Sequence, residues 1–167
     1  QVRAQDYIDQ VDFYNYEMAK PPGRTYRYFT GEPLFSYGTG LSYTSFSLSC
    51  AMHEVKTSPP MTFLCTLENT GNRYWDEVVQ VYHSAGETIR TEANHPVPLR
   101  SLVAFTRISL DRQASTTLNF TLSESAFSLV TADGNSTVYA GERTIIFSRG
   151  NGEDVHLNVT LDGHGRV

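Results

Sequence analysis

The clearest alternation in the chain lies in residues 61–68, MTFLCTLE, in which every second side chain is apolar. Phe63, Cys65 and Leu67 share one side of this run, and Thr62 and Thr66 lie on the other. A period of two puts successive side chains on opposite faces of an extended strand, so the run predicts a strand with one buried face. The turn-forming residues NTGN at 69–72 end it.

Similar runs, separated by turn-forming residues, lie on both sides of this strand. We predict about seven strands, at residues 44–55, 61–68, 75–83, 99–110, 116–122, 141–148 and 155–161. Residues 124–129 are expected to form a short irregular or helical turn, and residues 84–98 a polar loop long enough to be mobile or functional. Short strands at this spacing, rich in aromatic residues, Thr and Val, favour an all-β sandwich.

The first 43 residues follow a different pattern, because Pro and Gly interrupt every apolar period. They are also too rich in aromatic residues for a disordered linker. We therefore divide the chain into an ordered, irregular, aromatic-rich arm at residues 1–43 and a β-sandwich domain at residues 44–167. The rings of the arm need a surface to cover, which is either the sandwich or a neighbouring domain outside this chain.

The composition suits one soluble domain with an appendage, since 40% of the 167 residues are apolar and 19% are charged. A net charge of −5 opposes non-specific capture by nucleic acid or anionic lipid. No run approaches the roughly 18 apolar residues of a membrane helix. We expect neither a nucleic-acid partner nor a membrane. The chain begins without an initiator Met or a signal sequence, which suggests a processed or excised piece of a longer protein.

Three Asn-x-Ser/Thr triplets occur, at Asn119, Asn135 and Asn158. This triplet is the acceptor for N-glycosylation, and it has meaning only in a secreted protein. One triplet arises easily by chance, whereas three together favour secretion. We therefore expect an extracellular glycoprotein.

Six stretches of the chain are similar to parts of one known family: PGRTYRYF (22–29), GEPLFSYGTGLSYTSF (31–46), LENTG (67–71), DEVVQVY (76–82), PLRSLVAFTRISL (98–110) and YAGER (139–143). The first two resemble the stretch that leads into the C-terminal domain of glycoside hydrolase family 3 enzymes, which are β-glucosidases and β-xylosidases. The other four resemble strands and turns of that domain, which is fibronectin type III-like. The resemblance covers nearly the whole chain.

The resemblance implies a fibronectin type III-like, that is immunoglobulin-like, antiparallel β-sandwich. In that family the nucleophilic Asp lies on an N-terminal barrel and the acid/base is typically a Glu of a second, α/β domain, and both precede this segment. It follows that the catalytic pair is missing here and that residues 1 to about 16 are the end of the second domain or its exit linker. The partner would be the upstream catalytic domains, in the same precursor or as a separate chain.

The carboxylates give no independent sign of catalysis. A retaining glycosidase needs two carboxyl groups about 5–5.5 Å apart, whereas Asp76 and Glu77 point to opposite sides of a predicted strand. The remaining candidates fall at predicted turns or strand ends: Asp111, Glu124, Asp133, Glu142, Glu153 and Asp154. The five histidines include no pair at zinc-ligand spacing, so neither a metal nor another cofactor is expected.

Cys50 and Cys65 are the two cysteines of the chain. Both occupy inward positions of consecutive predicted strands, and their midpoint falls in the predicted turn at 56–60, so in a symmetric hairpin they face each other. In an oxidising compartment we expect them to form a buried disulfide worth about 3 kcal/mol. Two reduced core thiols are the alternative.

The arm also carries the residues expected at a domain interface: Arg24, Tyr26, Arg27, Tyr28, Phe29, Phe35 and Tyr37. Guanidinium groups flanked by tyrosines stack on rings and bridge carboxylates across interfaces. The same rings, with Trp75, could instead form a stacking platform for sugars.

Two functions follow. The first is a non-catalytic structural domain of a secreted family 3 β-xylosidase or β-glucosidase acting on plant cell-wall oligosaccharides, which stabilises the catalytic domains. The alternative is a carbohydrate-binding module that holds the parent enzyme, weakly, on polysaccharide. The parent looks like a glycosidase, while this chain by itself carries no predicted catalytic residue.

Overall fold

The computed structural model describes residue 12 and residues 14–162. Most of the expected end of an upstream domain, at residues 1 to about 16, lies outside these residues. The described part has two short α-helices, α1 (Thr25–Tyr28) and α2 (Glu87–Glu92), and a 3-10 helix (Glu124–Phe127). Its strands are β1 (Phe46–Met52), β2 (Met61–Asn69), β3 (Trp75–Ala85), β4 (Ser101–Leu110), β5 (Ser115–Leu122), β6 (Leu129–Val130), β7 (Ser136–Thr137), β8 (Gly141–Ser148) and β9 (Val155–Leu161).

The seven longer strands form two antiparallel sheets, with the orders β1-β2-β5 and β4-β3-β8-β9. Apolar side chains from both sheets form one core, in which Phe63 of β2 contacts Phe147 of β8 with ring centroids 5.6 Å apart. The predicted all-β antiparallel sandwich is therefore confirmed, and each long strand corresponds to one predicted run.

β2 shows why the alternation is informative. Phe63, Cys65 and Leu67 are fully buried, as predicted. On the opposite face, the Thr62 hydroxyl lies 3.1 Å from that of Thr121 on β5, close to solvent. The apolar face packs on the second sheet, so a one-residue slip of the register would expose the whole apolar set.

Residues 84–98, predicted as a polar loop, contain α2. The helix buries Ile89. The guanidinium group of Arg90 donates hydrogen bonds to the carbonyls of Ala85 (3.0 Å) and Val97 (3.2 Å), on both sides of the helix. These contacts hold the segment in one conformation. A single buried Ile and a single bridging Arg give no repeating apolar pattern, so the sequence does not predict this helix.

Two strands start later than predicted, because the chain there makes other contacts. β4 begins at Ser101 rather than at residue 99, since the Leu99 N–H donates to the carbonyl of Arg27 in the arm (2.6 Å). β1 begins at Phe46 rather than at residue 44, since the carbonyl of Ser45 accepts hydrogen bonds from the N–H groups of Thr70 (2.9 Å) and Gly71 (3.2 Å) in the turn after β2. The short β6–β7 hairpin has no counterpart in the predicted elements. No helix in the described part of the chain is long and apolar enough to cross a membrane.

Candidate functional site

β3 is buried on both faces along part of its length. Another segment of the chain must therefore cover its outer face, and the candidate site lies where it does so. Val79 and Val81 face the core between the sheets. Tyr82 and Gln80 belong to the opposite face, which normally meets solvent in a sandwich, yet Tyr82 is only 1% exposed. The arm covers this face, and we call the contact between residues 24–44 and the outer face of β3, β4 and β8 the arm–sheet interface.

Tyr26 of α1 is the main anchor of the arm. Its ring stacks on Tyr37 with centroids 4.2 Å apart and planes 16° from parallel. It also meets the ring of Tyr82 edge-on at 6.0 Å. Its hydroxyl oxygen accepts a hydrogen bond from the N–H of Leu102 (3.1 Å), which ties α1 to the start of β4.

The two arginines of α1 and its N-cap bind oxygens other than carboxylates. Arg24 donates to the backbone carbonyls of Asp12 (2.9 Å) and Asn15 (2.5 Å), so it closes the preceding turn. Arg27 donates to the Ser101 hydroxyl (3.2 Å), so it links the arm to β4. In the structure, the arginines thus hold the arm's own shape and its position on the sheet.

Between arm and sheet lies a cleft of about 520 Å³ with largely apolar walls. It brings together four of the residues predicted for an interface, Tyr26, Phe29, Phe35 and Tyr37. Arg24, Arg27 and Tyr28 lie outside it. We call this space the aromatic cleft.

The arm passes very close to the turn between β8 and β9. The carbonyl of Gly38 accepts a hydrogen bond from the Gln80 amide (3.2 Å). A Cβ atom added to Gly150, in that turn, would lie 1.9 Å from the same carbonyl oxygen. Only a glycine at 150 therefore lets the arm lie in this position.

A nearly buried ion pair holds the end of the arm. Arg149 lies 3.2 Å from a carboxylate oxygen of Glu77, and only 14% and 9% of the two side chains are exposed. The Ser42 hydroxyl donates to the same oxygen at 3.4 Å. The sequence gives no signal for this pair, because its members are 72 residues apart and only the fold brings them together.

Trp75 lines a second, polar depression of about 240 Å³ beside this ion pair. Its ring meets the ring of Tyr43 nearly at right angles, with centroids 4.7 Å apart. Close by, Asp76 accepts hydrogen bonds from Ser109 (2.5 Å) and Arg107 (2.9 Å). These bonds, Ser109 first, hold the pKa of the Asp76 carboxyl below its ordinary value.

A cationic cluster that sequence reasoning missed lies next to α2. Arg143 is almost completely buried and donates to the carbonyls of Gly141 (3.0 Å) and Tyr139. Burial lowers its pKa to about 10. Burial, and secondly the charges of Arg143 and Arg90, lower the pKa of His83 from 6.5 to about 3. His83 is therefore neutral at physiological pH.

The remaining predicted sites occupy defined places. Cys50 and Cys65 face each other on β1 and β2 and are joined by a disulfide. Asn119 lies on β5, Asn135 precedes β7, and Asn158 lies on β9; all three are exposed.

The carboxylates considered as catalytic groups are dispersed. Asp76 and Glu77, neighbours on β3, both line the depression at Trp75, and each is paired with a different arginine, Arg107 and Arg149. The carboxyl of Asp133 is fully exposed, and hydrogen bonds from Thr131 and Asn135 lower its pKa. Within residues 12 and 14–162, no group of three or more His, Cys, Asp or Glu side chains is placed to hold a metal ion.

The two antiparallel sheets and their strand order define a fibronectin type III-like β-sandwich. Residues 77–149 match the family model described as "Fibronectin type III-like domain". Residues 77–149 thus belong to a fibronectin type III-like domain, and the chain is similar to segments of family 3 glycoside hydrolases.

The similar proteins are much longer than this chain. A xylan 1,4-β-xylosidase from Xylanibacter ruminicola is 32% identical over 78% of the chain and 14% of its own length. An exo-1,4-β-xylosidase from Aspergillus oryzae is 25% identical over 87% of the chain and 20% of its own length. The chain thus spans a fifth or less of the length of these relatives.

Solved β-glucosidases give the same result. A structure from Erythrobacter marinus is 26% identical with a TM-score of 0.70, covering 90% of this chain and 20% of that one. A family 3 β-glucosidase from Bifidobacterium adolescentis is 28% identical with a TM-score of 0.67, covering 77% of this chain and 19% of that one. In both, a segment of a larger enzyme has the fold described above.

Proposed function

We propose that this chain is a non-catalytic structural domain of a secreted family 3 glycoside hydrolase, which stabilises the catalytic domains through its arm. The parent would be a β-xylosidase or β-glucosidase acting on plant cell-wall oligosaccharides. The observation that carries the proposal is the uneven distribution of exposed apolar side chains. Eight of the fourteen large exposed ones in the described part lie in the arm: Tyr14, Tyr16, Met18, Leu34, Phe35, Tyr37, Leu41 and Tyr43.

Large apolar side chains that remain exposed in one segment favour a contact with another protein surface. The inner side of the arm is used by the sandwich, whereas Leu34 is still 51% exposed beside the aromatic cleft. The occupant we propose is the remainder of the same polypeptide, because the chain corresponds to a fifth or less of the relatives it resembles. The relatives are named as xylosidases and glucosidases, which supports a catalytic remainder.

The arm suits this role because it is already ordered. Tyr26, Gly38 and Ser42 attach it to the sheet at successive points. A surface that is held in place before docking loses less conformational entropy on association. The sandwich would therefore act as a rigid support that presents the outer side of the arm.

The test uses the chain and the remainder of its parent polypeptide, produced separately, with the dissociation constant measured by calorimetry. Leu34→Glu puts a charge into the proposed contact and should weaken association by about tenfold or more. Val55→Glu is the matched control, because Val55 is 95% exposed in the β1–β2 turn, outside the arm. Equal affinities for the two variants would refute the docking role. Hydrolysis of a nitrophenyl glycoside by the 167-residue chain alone would refute the non-catalytic role.

We also propose that the protein is secreted and carries N-glycans. Asn119 and Asn158 lie on β5 and β9, each at an edge of its sheet, and their exposure supports attachment of a glycan. A glycan on an edge strand would obstruct edge-to-edge pairing with other chains. Protein from the native host should lose mass on deglycosylation. Each of the variants Asn119→Gln, Asn135→Gln and Asn158→Gln should lose less mass than the wild type, by the mass of one glycan. Unchanged mass would exclude glycosylation.

A further inference from the structure

The depression at Trp75 lies apart from the aromatic cleft and is built differently. One wall is the arm at residues 38–42, and the other is the start of β3 with Arg107 of β4 and the turn after β8. We call it the Trp75 groove. Its volume of about 240 Å³ is smaller than the roughly 300–1,000 Å³ of pockets for drug-sized ligands.

The charges of the groove cancel. Asp76 is paired with Arg107 at 2.7 Å, and Glu77 with Arg149 at 3.2 Å. Two carboxylates and two guanidinium groups leave no excess charge to attract an anion or a cation. The groove therefore favours a neutral, polar ligand.

Several groups in the groove retain hydrogen-bonding capacity. The side chain of Arg107 is 68% exposed although it is paired, and its carboxylate partner has further lone pairs. The Asn151 amide is exposed and has no hydrogen-bond partner among the described residues. The same is true of the indole N–H of Trp75, which is 39% exposed. Together they offer donors and acceptors around an aromatic wall.

A sugar ring matches this combination, because it presents C–H groups on its faces and hydroxyl groups around its edge. Aromatic rings with a polar handle pack on such faces, and planar amide, carboxylate and guanidinium groups bind the hydroxyls. We propose that the Trp75 groove binds a neutral saccharide of one or two pyranose rings. The groove shares Leu41 with the arm surface proposed for docking, so its test uses the 167-residue chain alone.

The test exploits the fact that Trp75 is the sole tryptophan of the chain. Titration of the 167-residue chain with xylobiose or cellobiose should shift the Trp75 fluorescence to shorter wavelength and saturate, with a dissociation constant of about 1 mM. The shift is expected because the sugar displaces water from the indole. No saturable change with either disaccharide would overturn the proposal.

Variants locate the binding. Arg107→Ala and Asn151→Ala should each weaken binding by about tenfold. Arg112→Ala is the matched control, since it removes an exposed arginine in the turn before β5 and should leave the affinity unchanged. Affinity that is unchanged in both groove variants would place the sugar elsewhere and overturn the proposal. The result does not depend on whether the chain associates with the remainder of its parent.

Discussion

Single residues near α2 are held in environments that their sequence neighbours do not reveal. Arg143 lies in the interior and donates to main-chain carbonyls. His83 is buried against the edge of Phe127, with ring centroids 5.7 Å apart. Burial disfavours the charged form of an imidazole, and the nearby charges of Arg143 and Arg90 disfavour it further. The ionisation of His83 is therefore linked to folding.

Acid should destabilise the protein in part through His83. Its pKa is about 3 in the folded chain, against the ordinary 6.5, because of burial and the nearby charge of Arg143. Between these values the unfolded chain binds a proton that the folded chain does not, so the free energy of unfolding falls as the pH drops from about 6.5 towards 3. His83→Gln should reduce this slope by up to about 1.4 kcal/mol per pH unit, measured by urea denaturation at a series of pH values.

The control for this prediction is His156→Gln, at an exposed position of β9. The free energy of unfolding of this variant should depend on pH with the same slope as that of the wild-type protein. Carboxylates such as Asp76 also lose favourable contacts in acid, and they do so equally in both variants. Identical slopes in the wild type and His83→Gln would show that His83 does not contribute.

Elements with a repeating pattern are predictable, and those fixed by distant contacts are not. The seven long strands follow from alternation, as in β2, because burial of one face imposes a period of two. α2 is held by Ile89 and by the side chain of Arg90, which leave no period. The aromatic content of the arm predicts a contact surface. The sequence does not predict the hydrogen bond from the Leu102 N–H to the Tyr26 hydroxyl, because the two residues are 76 positions apart. Only the folded sandwich brings them together.

The position of the arm should depend on the glycine at 150. Gly150→Ala puts a Cβ within 1.9 Å of the Gly38 carbonyl, so the arm should move away from the sheet. Hydrogen exchange of the amides at 36–42 should then be faster than in the wild type. Gly134→Ala is the matched control, because Gly134 has a similarly positive φ, +84° against +68°, and open space around it. Equal exchange in the two variants would argue against the contact.

The link between β1 and β2 should contribute measurably to stability. Cys50 and Cys65 are 15 residues apart, and closing a loop of this length in the unfolded chain is worth about 3 kcal/mol. Cys50→Ala combined with Cys65→Ala should therefore lower Tm by about 6–12 °C in calorimetry. A reductant should lower the Tm of the wild type and leave that of the double variant unchanged. A wild-type Tm that does not respond to full reduction would contradict this prediction.

At the scale of the whole molecule, the sandwich has its own core, while the arm has two sides with different surroundings. One side is fixed on the four-stranded sheet through Tyr26, Gly38 and Ser42. The other side presents apolar side chains to solvent. Sequence patterns identify the fold and the arm, whereas the division of the arm into an inner and an outer side depends on the packing of one element on another.

The role of the arm is tested most directly by hydrogen exchange of residues 14–43, compared between the 167-residue chain and the complete parent polypeptide. We expect the amides around Leu34 and Phe35 to exchange at least about tenfold more slowly in the parent, because docking buries them. The β1–β2 turn at 56–60 should exchange at the same rate in both. Exchange of the arm that is equally fast in the parent would contradict the proposal that it holds the sandwich against a larger catalytic body.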